Sequence, residues 1–86
     1  MSENNLDKTV AYNTKHVRVE RINEILSDVK AALDDRGYQS VAQISGYLIS
    51  NDPAYISSHK GARVLIQEVE RYEIIEELVR YYLDQK

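Results

Sequence analysis

The sequence predicts an all-α fold: a compact bundle of about four to five short helices behind a flexible N-terminal tail, paired as a dimer. Three observations carry this. Apolar residues return at three- and four-residue steps in separate stretches of the chain, the period of a helix with one buried face. The block from Gly37 to Leu83 is dense with residues that start and stop helices. The chain has 86 residues and no cysteine, so extra burial must come from association rather than disulfides.

Bulk properties bound the function. Eighty-six residues allow one domain. A chain this short buries only about 60–65% of its unfolded surface. Seven tyrosines, with no Phe or Trp, supply all the aromatic surface, and tyrosine suits half-buried sites. A net charge of -3 and a pI near 5.3 disfavour a general phosphate-backbone binder. No apolar run approaches the roughly 18–20 residues of a membrane span. The opening MSENNLDKTV lacks a charged-then-apolar signal pattern, so a soluble cytoplasmic protein is expected.

Residues 1–16 read as the tail and residues 17–86 as the helical domain. The tail is polar, with only Leu6, Val10, Ala11 and Tyr12 apolar after Met1. A first helix is expected from Val19 to Arg36, with Val19, Ile22, Ile25, Leu26, Val29 and Leu33 as its stripe. Gly37 then fits a left-handed position after the helix, closed by Tyr38. Ser40-Val41-Ala42-Gln43 matches a capping box opening a second helix, whose stripe is Val41, Ile44 and Leu48. Gly46 in mid-helix costs about 1 kcal/mol relative to alanine, which implies close approach of another helix.

Asn51-Asp52-Pro53 ends that helix, and Asp52 with Pro53 starts a short helical turn through Ile56. Ser57 or Ser58 is placed to cap the next helix. Ala62, Leu65, Ile66 and Val69 form its apolar face. Tyr72, Ile75, Leu78, Val79 and Tyr82 continue the pattern, either in one long helix or in two with a bend near Arg71-Tyr72.

The chemistry-bearing residues are sparse. His16 and His59 lack metal-ligand spacing, and no nucleophile motif or glycine-rich phosphate loop is visible, so no enzyme, metal or cofactor is expected. Glu73 and Glu77 could reach one cation, but hard metals need more oxygens, and a solvated face is the simpler reading. His59-Lys60-Gly61-Ala62-Arg63 is the one basic cluster. At a helix start it opposes the macrodipole, so it is either a contact for an anion or partner, or an ordinary solvated surface. Arg71 and Arg80 are further candidate contacts. Leu48, Ile49, Tyr47 and the Tyr81-Tyr82 pair exceed one core stripe and are candidates for a dimer face. A helix-turn-helix DNA-binding regulator is the second reading, although Glu68 and Glu70 on its recognition helix would oppose phosphates. Thr9 and Thr14 lie in the tail, where a kinase could reach them.

Several stretches resemble the IreB/ReoM family of small regulatory phosphoproteins of Gram-positive bacteria. They are Asp7-Lys8-Thr9, Arg36-Gly37-Tyr38, Gln43-Ile44 with Gly46-Tyr47-Leu48, Asp52-Pro53-Ala54-Tyr55-Ile56, His59-Lys60 with Ala62-Arg63, and Glu70-Arg71 with Glu73 to Val79. The resemblance implies a helical, dimeric fold. It implies phosphorylation of Thr9 by a membrane Ser/Thr kinase with PASTA domains. It also implies control of peptidoglycan synthesis, in ReoM-like members through Clp-protease turnover of the enzyme that commits precursor to the wall, which makes an adaptor or protease-complex protein a partner. This chain departs from the family pattern at Val41, Asn51, Ser57, Ser58, Gly61, Gln67-Glu68 and Tyr72. Most of these departures remove positive charge from one surface.

Overall fold

A computed structural model describes the backbone of residues 2–85 and the side chains of residues 16–85. Four α-helices follow in order: α1 (Ser2–Asp35), α2 (Ser40–Ser50), α3 (Ala62–Ile66) and α4 (Arg71–Asp84). Two 3₁₀ turns, Pro53–Tyr55 and His59–Gly61, lie between α2 and α3. No strand occurs among the described residues. The all-α expectation is met, but α1 is not short. Its 34 residues span about 51 Å at 1.5 Å per residue, close to the molecule's longest extent of 54 Å. The helix expected from Val19 therefore starts at Ser2. The side chains of residues 1–15, on which the expected tail depends, lie outside the described residues.

The core is small and rests on α1. Ile22, Ile25, Val29 and Leu33 are buried on one face, with Ala32 beside them. Each fully buried aliphatic side chain of this kind contributes about 1.5–3 kcal/mol. Ala62 and Ile66 of α3, Ile56 between the two 3₁₀ turns, Tyr47 of α2 and Ile74 of α4 close over this stripe. Leu26, Ile44, Leu48, Leu65 and Val69 pack at its edges. Tyr47 is thus a core residue and cannot serve as part of a dimer face.

The end of α1 follows its sequence. Gly37 adopts φ 74°, its N–H donates to the Asp34 carbonyl at 2.9 Å, and the Tyr38 N–H donates to the Leu33 carbonyl at 3.0 Å. This pair of bonds is a Schellman ending. The capping box expected at Ser40 does not form. Gln39 takes the N-cap position without a side-chain bond, and Ser40 is the first helical residue and buried. The Gln43 side chain instead accepts from the Ser57 N–H at 3.1 Å, because that segment packs against α2 and has donors of its own to satisfy.

Asp52 and Pro53 behave as expected. Asp52 Oδ1 accepts from the Ala54 N–H at 3.0 Å, and Pro53 occupies the first position of the turn. Asn51, left-handed at φ 60°, closes α2 by donating to the Tyr47 carbonyl at 2.7 Å. Ser58 takes the N-cap of the second turn without a side-chain bond, and Ser57 Oγ just before it accepts from the His59 N–H at 3.1 Å. Lys60 and Gly61 are then both left-handed, at φ 53° and 73°. For a lysine that costs on the order of 1 kcal/mol.

Of the two arrangements left open after Ser58, one long helix or two with a bend near Arg71-Tyr72, the chain takes the second: it breaks between Ile66 and Arg71, so α3 is only five residues long and α4 is separate. A helix-turn-helix needs a recognition helix that can lie in a groove. A five-residue α3, with Ala62 and Ile66 buried, cannot supply one. Nor does α4 bury the expected stripe. Ile74 is its buried residue, while Tyr72, Ile75, Leu78, Val79 and Tyr82 are exposed.

Gly46 does answer a close approach, but of a ring rather than a helix. A Cβ there would lie 2.5 Å from Tyr55 Cδ1. Gly46→Ala should gain about 1 kcal/mol of helix propensity yet lose more to the collision, for a net loss of about 1 kcal/mol. In a Tyr55→Ala background the same change should stabilise. Urea unfolding of the four-member cycle checks this, and additive effects would refute the proposed clash.

Candidate interaction surface

The basic side chains fall into two groups by what holds them. His59 Nε2 lies 2.8 Å from Asp35 Oδ2, and Lys60 Nζ lies 3.4 Å from the same oxygen. Asp35 ends α1, which has no basic residue in its own last turn. Lys60 therefore places a positive charge, and His59 a hydrogen-bonding ring nitrogen, at the negative end of a long helix. This corrects the expectation that the cluster opposes a macrodipole. It sits at the helix end where cations are favourable, and the left-handed turn at Lys60-Gly61 puts it there.

Arg80 is likewise matched to carboxylates, with Glu77 at 2.5 Å and Glu76 at 3.8 Å. Arg18 meets Glu73 at 3.2 Å, and Arg21 is shared between Glu24 and Glu68. Lys30 meets Asp34 at 2.6 Å. Glu73 and Glu77 thus serve ion pairs that tie α4 to α1 and to itself. Among the described residues, no three of His, Asp and Glu come together as a metal-binding group.

Arg63 and Arg71 differ. Arg63 Nε donates to the Ile56 carbonyl at 2.8 Å, and Arg71 Nη1 donates to the Leu48 carbonyl at 2.6 Å. Both side chains are half-buried, and neither has a carboxylate within ion-pair distance among the described residues. A main-chain carbonyl satisfies one N–H and leaves the guanidinium charge uncancelled. Each arginine is positioned by the fold and still presents a net positive charge. The five basic residues singled out in the sequence therefore do not form one cluster. His59 and Lys60 share Asp35, Arg63 holds the Ile56 segment, Arg71 sits at the end of α2, and Arg80 stays within α4. The Thr9 side chain lies outside the described residues.

The apolar surplus is the other feature. Val41 and Ile49 on α2 are 77% and 83% exposed. Beside them an apolar groove of about 290 Å³ runs between α1, α2 and α4, lined by Leu26, Ile44, Leu48 and Leu78 with Lys30 and Ser40 at its rim. Ile49 is legible in the sequence as apolar surplus, whereas Val41, expected on the core stripe of α2, is exposed instead. No helix among the described residues is long and apolar enough to cross a membrane.

The outer surface of this small helical protein thus combines cations fixed in place by backbone carbonyls with aliphatic side chains left exposed on two helices. Residues 7–84 match the family model described as the IreB regulatory phosphoprotein, and the chain belongs to that family.

The Asp35 carboxyl is held below its ordinary range, first by the hydrogen bond from His59 and then by Lys60. A carboxyl depressed in the folded state contributes stability above its unfolded value of about 3.9 and loses it as pH falls through the folded value. Wild type should therefore exceed Asp35→Asn in stability at pH 5. The difference should begin to shrink as pH drops below about 4 and approach zero only below the depressed folded value. Chemical denaturation across that range measures it, and a gap that persists in acid would mean the pair is not the cause.

Proposed function

We infer that this protein is a non-enzymatic regulatory phosphoprotein, phosphorylated on Thr9 by a PASTA-type Ser/Thr kinase, that controls peptidoglycan precursor synthesis through protein–protein contacts in the cytoplasm of a Gram-positive bacterium. The observation that carries it is the family match, which begins at residue 7 and so includes Thr9. In the ReoM-like form of this reading, the contact is with an adaptor or protease-complex protein and sets Clp-protease turnover of a cell-wall enzyme.

The chemistry of such a switch is direct. A phosphate on Thr9 adds about -1.5 to -2 charge and three acceptor oxygens. Arg63 and Arg71 are the cations best able to answer it, or to answer a carboxylate of the partner, because their charge is not already neutralised. His59, Lys60 and Arg80 would first have to leave Asp35, Glu76 or Glu77. They contribute to partner contact at the rim.

The same reading includes a homodimer. Its face is the outer side of α2, where Val41 and Ile49 stand exposed next to the apolar groove. Sedimentation of Ile49→Glu should give monomers where wild type gives dimers. A dimer that survives this change uses another face.

The first test of the switch is intact mass after incubation with the catalytic domain of the host's PASTA kinase and ATP, beside Thr9→Ala. One added phosphate, absent from the variant, supports the reading. No phosphate, or one that persists in Thr9→Ala, overturns it and turns attention to Thr14 or to an adaptor that works without phosphorylation.

A further inference from the structure

Of the serines with described side chains, Ser58 stands apart. Ser40 is buried, Ser50 Oγ donates to the Gly46 carbonyl, and Ser57 Oγ accepts from the His59 N–H. Ser27 and Ser45 are exposed but lie inside α1 and α2, where reaching an enzyme's cleft would mean unwinding packed turns. Ser58 is exposed and lies between the two 3₁₀ turns rather than in an α-helix. Its hydroxyl, though at the N-cap of the second turn, makes no capping bond.

The chain around it is basic. Between Ile56 and Arg63 the sequence holds His59, Lys60 and Arg63 and no carboxylate. The left-handed pair Lys60-Gly61 turns the chain back on itself. Arg63 Nε then donates to the Ile56 carbonyl at 2.8 Å and closes a loop of which Ser58 is a member. The guanidinium is thus anchored two residues along the chain from Ser58. His59 and Lys60 share Asp35 Oδ2, and Asp35 is the one carboxylate that ion-pairs with this loop among the described residues. An anion on Ser58 would meet one arginine with its charge intact and one lysine held by a single carboxylate.

We propose that Ser58 is a phosphorylation site, modified by a Ser/Thr protein kinase with ATP as donor, and that Arg63 and Lys60 receive the phosphate. Transfer joins Ser58 Oγ to the γ-phosphorus of ATP, breaks the bond from that phosphorus to the β-phosphate oxygen and releases ADP; the hydroxyl proton passes to the kinase's base. The product adds about -1.5 to -2 charge and three acceptor oxygens to the loop. Arg63 offers it the Nη groups that the Ile56 carbonyl leaves free, and Lys60 exchanges Asp35 for a stronger anion. The modification cancels the positive charge of this loop and takes Arg63 away from any other anion. The site is separate from Thr9 and does not depend on the switch there.

Two measurements test it, both on the full chain carrying Thr9→Ala, so that the fate of Thr9 does not enter. The first is phosphopeptide mapping of the chain purified from its host in growth and in stationary phase. A phosphate localised to Ser58, and lost in Ser58→Ala, is expected. A chain with no phosphate on Ser58 in either phase overturns the proposal. The second uses the chain phosphorylated on Ser58 by chemical synthesis and follows the phosphate by phosphorus NMR. Neighbouring cations favour the doubly charged phosphate, so it should titrate at lower pH in the folded chain than in urea, and salt should narrow the difference. Arg63→Gln should move the titration back towards the unfolded position. Arg63 also holds the Ile56 segment, so Lys60→Gln, which changes an exposed side chain, is the second variant and should move it part of the way. The same titration in the folded and unfolded chain, or one that neither variant alters, overturns Arg63 and Lys60 as the receiving groups.

Discussion

Everything in this molecule is fastened to one buried stripe on α1. Ile25, Val29 and Leu33 are fully covered, and Ile56, Ala62, Ile66 and Ile74 from three later segments all converge on them. A core that narrow cannot order the long connection from α2 to α3 by apolar contact alone. Between Asn51 and Gly61 only Ile56 is buried. The segment is held instead by directed bonds: Ser50 Oγ donates to the Gly46 carbonyl, the Ser57 N–H donates to Gln43, Arg63 donates to the Ile56 carbonyl, and His59 pairs with Asp35. Bonds of this kind are each worth about 0.5–1.5 kcal/mol net, but they fix geometry in a way that a small apolar cluster does not.

This use of polar side chains as fasteners determines what the surface can offer. A guanidinium bonded to a carboxylate is both held and neutralised. One bonded to a backbone carbonyl is held and remains charged. Arg63 and Arg71 are of the second kind, so structural and recognition roles coexist in the same side chain. Lys60 is likewise matched to a carboxylate and His59 shares it, so both are engaged at the C-terminal end of α1. The basic cluster that stands out in the sequence is therefore the less available part of the basic surface.

What the sequence revealed follows the range of the interactions involved. The ending at Gly37 and the turn at Asp52-Pro53 depend on bonds within a few residues, and both form as their residue types dictate. The capping box at Ser40 failed because Gln43 had a competing donor fourteen residues away, which local pattern cannot weigh. Gly46 announced a close approach but not its agent, since Tyr55 reaches it through a turn. For α4, periodicity sees only that apolar residues recur. It cannot say which of two overlapping seams meets the body when both have helical spacing. The cations of the candidate surface were legible as residue types, but their partners were not. Those partners lie seven, twenty-three and twenty-four residues away, and they decide whether a charge is free or cancelled.

The surplus of exposed apolar side chains has a consequence for α4 itself. Ile74 in the core, Leu78 in the groove, Arg71 on the Leu48 carbonyl and Glu73 on Arg18 tie the first eight residues of α4 to the body. Beyond Leu78 its side chains are mostly exposed, and Arg80 bonds only within the helix. A fourteen-residue helix is near the length at which helices in water are marginal without packing. Order in its second half is therefore the part of the fold most sensitive to whatever covers it. An 86-residue chain with one narrow core has little apolar burial to spare for the far end of a helix.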